Sequence, residues 1–199
     1  LCITLGSALS TTFNSFRLAA MEQEGLYVVD SNNLSTGFGH VVMAAGDRIA
    51  AGMPVEQIVD EVSVIAKKVE ASFVVDNLEF LHKGGRCSAV AVLGANVLKL
   101  KPCIEVSNEG GAMGVSKKYR GTLNHVLEEY VKDRLEGRDD ICTDRIFITH
   151  SGIDPQYIDV VKSAIAKYMT FDEIYVTRAG CTISSHCGPN TLGILFVRK

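Results

Sequence analysis

Short apolar runs alternate with amphipathic stretches over the first 71 residues. Residues 1–5 and 26–30 are each apolar and short enough for a strand, and each precedes a stretch of helical periodicity that ends at a glycine. A third helical stretch begins at Pro54 and keeps apolar residues on one face as far as Val69. Strand, helix, strand, helix predicts a parallel sheet, so we assign residues 1–71 to the remainder of an N-terminal α/β domain.

The pattern changes in the second part of the chain. Residues 72–76 predict another strand, and a helix of small residues is expected to follow as far as Leu98. Two extended segments flank a glycine-rich turn around Gly110, which predicts a hairpin, and amphipathic helices then alternate with strands. We therefore predict a second domain over residues 72–199, of α+β type with a mixed or antiparallel sheet, and an α/β fold for the whole chain.

Composition narrows the classes of function. The chain has 199 residues, 47% apolar and 22% charged, which is typical of a globular protein. A formal net charge of −3 offers no basic stripe for a phosphate backbone, so we expect no nucleic-acid partner. No apolar run approaches the roughly 18 to 20 residues of a membrane span, and no secretory signal is recognisable, so we expect a cytoplasmic protein.

Six cysteines are scattered along the chain without a CxxC pair. This spacing favours buried, reduced thiols over a disulfide framework or a structural zinc, so we expect no metal site. The chain opens with Leu1 rather than an initiator methionine, and its first residues are already strand-like. We therefore expect an N-terminally truncated form.

Three hydroxyl residues, Ser10, Thr11 and Thr12, stand where the first strand gives way to a helix. The N–H groups at a helix start are free and its dipole favours negative charge, so this turn could hold a carboxylate or a phosphate. The alternative is plain capping of the helix by Ser7 or Ser10.

Two further segments contain candidate ligand-binding side chains. Arg86 follows a flexible pair of glycines, and its planar guanidinium suits a carboxylate, although a solvated basic residue in a glycine turn is the alternative. His186 lies in a polar loop expected before the last strand, where it could bind a ligand, act as an acid or base, or simply stabilise the loop. Nucleophilic catalysis has little support, because no G-x-S-x-G motif is present and His150 and Ser151 are only sequence neighbours.

Five stretches follow one another in a characteristic order, namely residues 2–15, Val28-Val29-Asp30-Ser31, Phe73-Val74-Val75-Asp76-Asn77-Leu78-Glu79-Phe80-Leu81, Lys83-Gly84-Gly85-Arg86 and His186-Cys187-Gly188-Pro189-Asn190-Thr191-Leu192-Gly193. In order and spacing they resemble the DegV family of bacterial fatty-acid-binding proteins. The resemblance implies two α/β domains of the EDD fold, with the acyl chain enclosed in the core and the carboxylate held at the domain interface.

The resemblance also assigns roles to residues. It implies that Ser10, with Thr11 and Thr12 beside it, contacts the carboxylate, that His186 is the head-group histidine and that Arg86 supports the head-group network. It implies that Arg120 lies near the basic residues that dock a partner kinase. Thr11 stands where the family most often has glycine, and a β-branched residue there would be strained if its φ were positive.

The function implied by the resemblance is that of a carrier rather than an enzyme. It would bind a long-chain fatty acid as its ligand, use no cofactor, exchange lipid transiently with membranes and present the carboxylate to a separate fatty acid kinase. In the truncated form we expect either an open head-group end with no ordered lipid or a homodimer that covers the gap. The alternative from another class is an enzyme that acts on a small carboxylate or phosphate substrate with His186 as acid or base.

Overall fold

The computed structural model describes residues 1–87 and 100–199, so most of the small-residue helix predicted as far as Leu98 lies outside the described residues. The chain divides into two compact units, which are described separately below. The first unit contains Leu1–Glu70, Val106–Ala112 and Arg198, and the second contains Ala71–Glu105, Met113–Val197 and Lys199. The domain boundary expected between residues 71 and 72 stays a prediction.

The first unit is built on two parallel strands and three helices. Its elements are β1 (Cys2–Thr4), α1 (Thr12–Met21), β2 (Val28–Asp30), α2 (Ser35–Ala50) and α3 (Val55–Ala66). Ile3 of β1 lies opposite Val29 of β2 in a parallel register, which confirms the predicted parallel sheet. The buried residues of the two longer helices, among them Val41 and Val62, recur at helical spacing, as an amphipathic sequence predicts.

α1 differs from the other helices of the first unit because it buries none of its residues. Phe16, Leu18 and Met21 are 46%, 50% and 72% exposed. In the described part of the chain, no helix has both the length and the apolar character needed to cross a membrane.

The second unit is a six-stranded mixed sheet with helices. Its elements are β3 (Val69–Val74, which begins in the first unit), α4 (Glu79–Gly84), β4 (Leu100–Val106), β5 (Met113–Arg120), α5 (Leu123–Leu135), β6 (Arg145–His150), α6 (Pro155–Tyr168), β7 (Glu173–Arg178), α7 (Cys181–Cys187) and β8 (Leu192–Val197). The strand order is β5-β4-β3-β8-β6-β7. Ile148 of β6 lies opposite Val176 of the parallel β7 and opposite Ile194 of the antiparallel β8, which confirms a mixed sheet.

The main core of the second unit packs α5 and α6 against this sheet. Tyr130 of α5 is fully buried, and its hydroxyl donates to the Ser72 carbonyl oxygen at 2.7 Å and accepts from the Ile194 N–H at 2.9 Å. Asp154 caps α6, because its carboxylate accepts from the Gln156 N–H at 3.0 Å. A buried tyrosine with all its partners satisfied fixes α5 to two strands at once.

Two sequence predictions are wrong at element boundaries. The helix expected to end near residue 71 ends at Ala66, and Val69, which fitted its apolar face, is buried in β3 instead. A valine at this position satisfies both the helical and the strand period, so the pattern could not distinguish them. The polar stretch before the last strand, expected as a loop, begins as the short helix α7, which contains His186.

Candidate functional site

The hydroxyl turn (residues 7–12) joins β1 to α1 in the first unit. The Ser10 Oγ lies 2.8 Å from the Thr12 Oγ1 and accepts a hydrogen bond from the Thr12 N–H at 3.2 Å. The Ser10 oxygen can accept both hydrogen bonds, which leaves its own proton available for an anion. The contact with the Thr12 N–H is also a local cap, so capping and anion binding are both open to Ser10.

The backbone of the hydroxyl turn has unused donors. The N–H groups of Ser7, Ala8 and Leu9 have acceptors within the first unit. Those of Ser10 and Thr11 have no acceptor in the part of the chain that the structure describes. Because they precede a ten-residue helix, these N–H groups lie in its positive field and are suited to an anion.

Thr11 is not strained in this turn. Its φ of −71° lies in the right-handed region, where a β-branched residue is well tolerated. The backbone strain that a threonine would suffer at a positive φ therefore does not arise at this position.

A carboxylate of the chain itself holds the start of the hydroxyl turn. Asp30, at the end of β2, accepts from the Ser7 N–H at 3.2 Å and from the Asn32 N–H at 2.9 Å. Asp30 was not among the residues predicted for the site, although an acidic residue at the end of a strand and before a helix is a recognisable signal for this position. Asp30 thus anchors the hydroxyl turn at Ser7, three residues before Ser10.

In the second unit the structure brings Arg86 and His186 together around one glycine. A Cβ built on Gly84 would lie 2.2 Å from the His186 Nδ1, so the imidazole rests directly on the glycine backbone. The Arg86 Nη1 donates to the Gly84 carbonyl oxygen at 3.1 Å. Gly85, which follows the last residue of α4, is in the left-handed region with φ 65°, and this turns the chain so that Arg86 reaches the Gly84 carbonyl.

Both side chains are accessible to a ligand. Arg86 is exposed and His186, in the last turn of α7, is half-buried. The Arg86 guanidinium and the His186 imidazole, both beside Gly84, have N–H groups that can donate hydrogen bonds to a carboxylate. The arrangement joins two motifs that lie about a hundred residues apart in the chain.

The loop after α7 is held by hydrogen bonds on several sides. Asn190, in the left-handed region with φ 58°, donates from its Nδ2 to the Asp76 carboxylate at 3.1 Å, and the Lys101 ammonium also binds Asp76. Burial raises the Asp76 pKa, but the hydrogen bonds from Lys101 and Asn190 and the charge of Lys101 outweigh it, so the pKa lies below its ordinary value. Asp76 and Asn190 therefore fix the chain beyond His186, a role that sequence reasoning missed.

His150 and Ser151 do not form a catalytic pair. The Ser151 hydroxyl donates to the Gly188 carbonyl oxygen, and the His150 Nδ1 accepts from the Gly152 N–H at 3.3 Å. Burial, and then the positive charge of Arg178, lower the His150 pKa. The Ser151 hydroxyl and the His150 Nδ1 therefore each have a backbone partner rather than one another.

Arg120 ends β5 in an exposed position. Within the same basic stretch, Lys117 forms an ion pair with Asp133, whose carboxylate also accepts from the Tyr119 hydroxyl at 2.7 Å. No carboxylate in the described residues pairs with Lys118 or Arg120. The two unpaired charges leave a positive surface at this end of the strand.

A groove of ≈ 510 Å³ lies between α5 and α6, away from every residue predicted for the site. It is lined by Glu128, Glu129, Gln156, Asp159, Val160, Ser163, Ala164, Lys167 and Tyr168. Three carboxylates in a wide polar groove do not suit an acyl chain or its carboxylate.

Comparison with known proteins gives a consistent result. The family model described as "Uncharacterised protein, DegV family" matches residues 1–199. A protein named fatty acid-binding protein from Thermotoga maritima is 29% identical over 199 residues, which cover 97% of this chain and 67% of that protein.

Solved structures are similar as well. One is a DegV family protein from Thermus thermophilus, described for its fatty acid binding. It has a TM-score of 0.85 and 29% identity, over 98% of this chain and 69% of that one. A fatty acid binding DegV family protein from Streptococcus agalactiae has a TM-score of 0.82 and 25% identity, over 100% of this chain and 71% of that one. The relatives are thus longer than the chain described here.

Proposed function

This chain is a member of the DegV family, and from that premise we propose that it binds a long-chain fatty acid and presents the carboxylate to a separate ATP-dependent fatty acid kinase. The similar proteins from Thermotoga maritima and Thermus thermophilus are named for fatty acid binding. The chain itself acts as a carrier in the cytoplasm and performs no chemistry on the lipid.

The proposal rests above all on the convergence of Arg86 and His186 at Gly84. Two motifs far apart in sequence bring a guanidinium and an imidazole into contact with one glycine. Hydrogen bonds to an ionised group contribute roughly 1.5 to 3 kcal/mol each, so donors of this kind are well suited to a carboxylate. We assign Arg86 and His186 to the fatty-acid carboxylate.

The hydroxyl turn is the second proposed carboxylate-binding group. Ser10 has a proton to donate, the N–H groups of Ser10 and Thr11 have no acceptor among the described residues, and Thr12 holds the Ser10 oxygen in place. These neutral donors stabilise an anion without adding a fixed positive charge. We assign Ser10, Thr11 and Thr12 to the carboxylate on this basis.

The acyl chain supplies most of the gross binding energy. Each buried methylene is worth about 0.8 kcal/mol, so a chain of about 16 carbons provides far more than the head group does. The polar residues therefore serve chiefly to orient the lipid and to select an acid over a neutral lipid.

The kinase is proposed to dock at the basic end of β5. Arg120 and Lys118 are positive and unpaired among the described residues, and exposed charges of this kind steer an acidic partner surface. Neither residue is proposed to touch the lipid.

The test uses the protein at the full length of its relatives, purified from bacteria. Native mass spectrometry, followed by extraction and lipid analysis, should find a bound fatty acid, and Ser10→Ala and His186→Ala should each weaken palmitate and oleate binding. The expected loss is roughly 1 to 3 kcal/mol per variant, because each removes one hydrogen bond to a desolvated carboxylate. No retained lipid and no measurable palmitate binding would favour the enzyme alternative, and unchanged affinity in both variants would contradict the head-group assignment.

A further inference from the structure

The tip of the β4–β5 hairpin (residues 107–112) packs on the hydroxyl turn within the first unit. The Ala8 N–H donates to the Gly110 carbonyl oxygen at 2.8 Å. The Gly110 N–H in turn donates to the Asn32 Oδ1 at 2.9 Å. Gly110 is thus hydrogen-bonded to the hydroxyl turn through its carbonyl oxygen and to the loop after β2 through its N–H.

The contact leaves no room for a side chain on either backbone. Gly110 has φ 70°, and a Cβ added there would lie 2.9 Å from the Ser7 Oγ and 3.2 Å from the Ala8 Cβ. A Cβ added to Gly6 would lie 2.5 Å from the Gly110 carbonyl oxygen. Glycine is therefore required on both sides of the contact for steric reasons, and at Gly110 also for its backbone conformation.

Asn32 connects the tip to the anchor of the turn. Its backbone is left-handed, with φ 51°, and its N–H donates to the same Asp30 carboxylate that accepts from Ser7. The backbone of the hydroxyl turn is therefore held at Ser7 by Asp30 and at Ala8 by Gly110. After Leu9 the hydroxyl turn continues with Ser10, Thr11 and Thr12.

We infer that Gly110 and Asn32 are positioning residues for the head group: they set the backbone of the hydroxyl turn so that its donors face one carboxylate. The inference rests on the proposed function of that turn. Donors held in place before the ligand arrives lose little entropy on binding, so a displaced turn loses affinity for an ionised head while its effect on the acyl chain is small.

The test compares palmitate with methyl palmitate, which has the same chain and an uncharged head. Gly110→Ala should weaken palmitate binding roughly tenfold or more, as expected for the loss of a charged hydrogen bond, and leave methyl palmitate binding unchanged. Gly52→Ala is the matched control, because Gly52 has φ 74° in the same unit and a Cβ there would meet nothing within 4 Å. It carries the same backbone strain and should leave both affinities unchanged.

A second variant avoids the added atom. In Asn32→Gly, the glycine can adopt the left-handed backbone, and the acceptor of the Gly110 N–H is removed. This variant should also weaken the binding of palmitate but not that of methyl palmitate. Equal loss of both lipids in these variants, or unchanged palmitate affinity, would overturn the positioning role. Ser10→Ala separates this outcome from the proposed function: if it still weakens palmitate binding, the turn binds the carboxylate and only the inference about Gly110 and Asn32 fails.

Discussion

The imidazole of His186 packs against the backbone of Gly84, so closely that a Cβ on Gly84 would lie 2.2 Å from the His186 Nδ1. Gly84 is the last residue of α4 and has a negative φ, which any residue can adopt. Glycine is therefore required here because a side chain would clash with the imidazole, and not because of the backbone conformation. The Lys-Gly-Gly-Arg motif therefore sets the position of a histidine about a hundred residues away.

Gly84→Ala is expected to displace the His186 ring and weaken fatty acid binding. The loss should resemble that of His186→Ala, roughly 1 to 3 kcal/mol, because the imidazole can no longer reach the carboxylate in its native position. Isothermal titration with palmitate measures the effect, and the His186 ring resonances report the displacement directly.

The matched control for this variant is Gly180→Ala. Gly180 precedes α7, and a Cβ there would meet nothing within 4 Å. Its replacement should cost at most about 1 kcal/mol of stability and leave palmitate affinity at the parent value. If Gly84→Ala also bound palmitate like the parent, the close contact would have no role in the site.

The periodicity of the sequence predicted most of the fold. The parallel strands of the first unit and the β4–β5 hairpin follow from local patterns and were confirmed. Val69 was misassigned because one valine fits both a helical and a strand period, and only its packing in β3 settles the choice.

The candidate site was less accessible to sequence reasoning. Composition and motifs singled out Arg86 and His186 separately, but their convergence on Gly84 depends on tertiary packing that no local pattern encodes. Asp76 and Asn190 were missed for the same reason, since their hydrogen bond joins residues 114 positions apart. A polar residue shortly after a buried strand, as Asp76 is two residues beyond β3, is the signal that could have indicated this position.

Asp76→Asn is expected to make stability less dependent on acid pH. The folded-state pKa of Asp76 is held below its unfolded value, so its contribution is present above about pH 4 and is lost as the pH falls through the lowered value. At about pH 7 the variant should be roughly 1 to 2 kcal/mol less stable than the parent, because hydrogen bonds to a charged acceptor become neutral ones. The difference should shrink as the pH falls through the lowered pKa of Asp76.

Urea unfolding at several pH values tests this dependence. Asp159→Asn serves as the control, because Asp159 is exposed in the α5–α6 groove and forms no ion pair within the described residues. It should change stability little at any pH. A stability gap between the parent and Asp76→Asn that stayed constant down to about pH 2 would show that the carboxylate charge is not what holds the loop.

Tyr130→Phe is expected to destabilise the second unit by roughly 1 to 3 kcal/mol. The substitution leaves the buried Ile194 N–H and the Ser72 carbonyl oxygen without their partner in the core. Tyr168→Phe is the control, since Tyr168 is half-buried and its hydroxyl has no hydrogen bond among the described residues. Equal unfolding midpoints for the two variants in urea would mean that the Tyr130 hydroxyl contributes nothing net.

Arg120→Ala is expected to slow phosphorylation of the bound fatty acid by the kinase while leaving palmitate affinity unchanged. Arg120 is exposed at the end of β5 and has no carboxylate partner among the described residues, so its charge is available to an approaching protein. Exposed charges act mainly on the rate of encounter, so the effect should be several-fold at low salt and should fade as salt screens it.

Lys162→Ala removes the same charge from the exposed surface of α6 and should leave the rate unchanged. Lys117→Ala should have a weaker effect than Arg120→Ala, because Asp133 already neutralises Lys117. Equal phosphorylation rates for the parent and Arg120→Ala at low salt would place the docking surface elsewhere on the molecule.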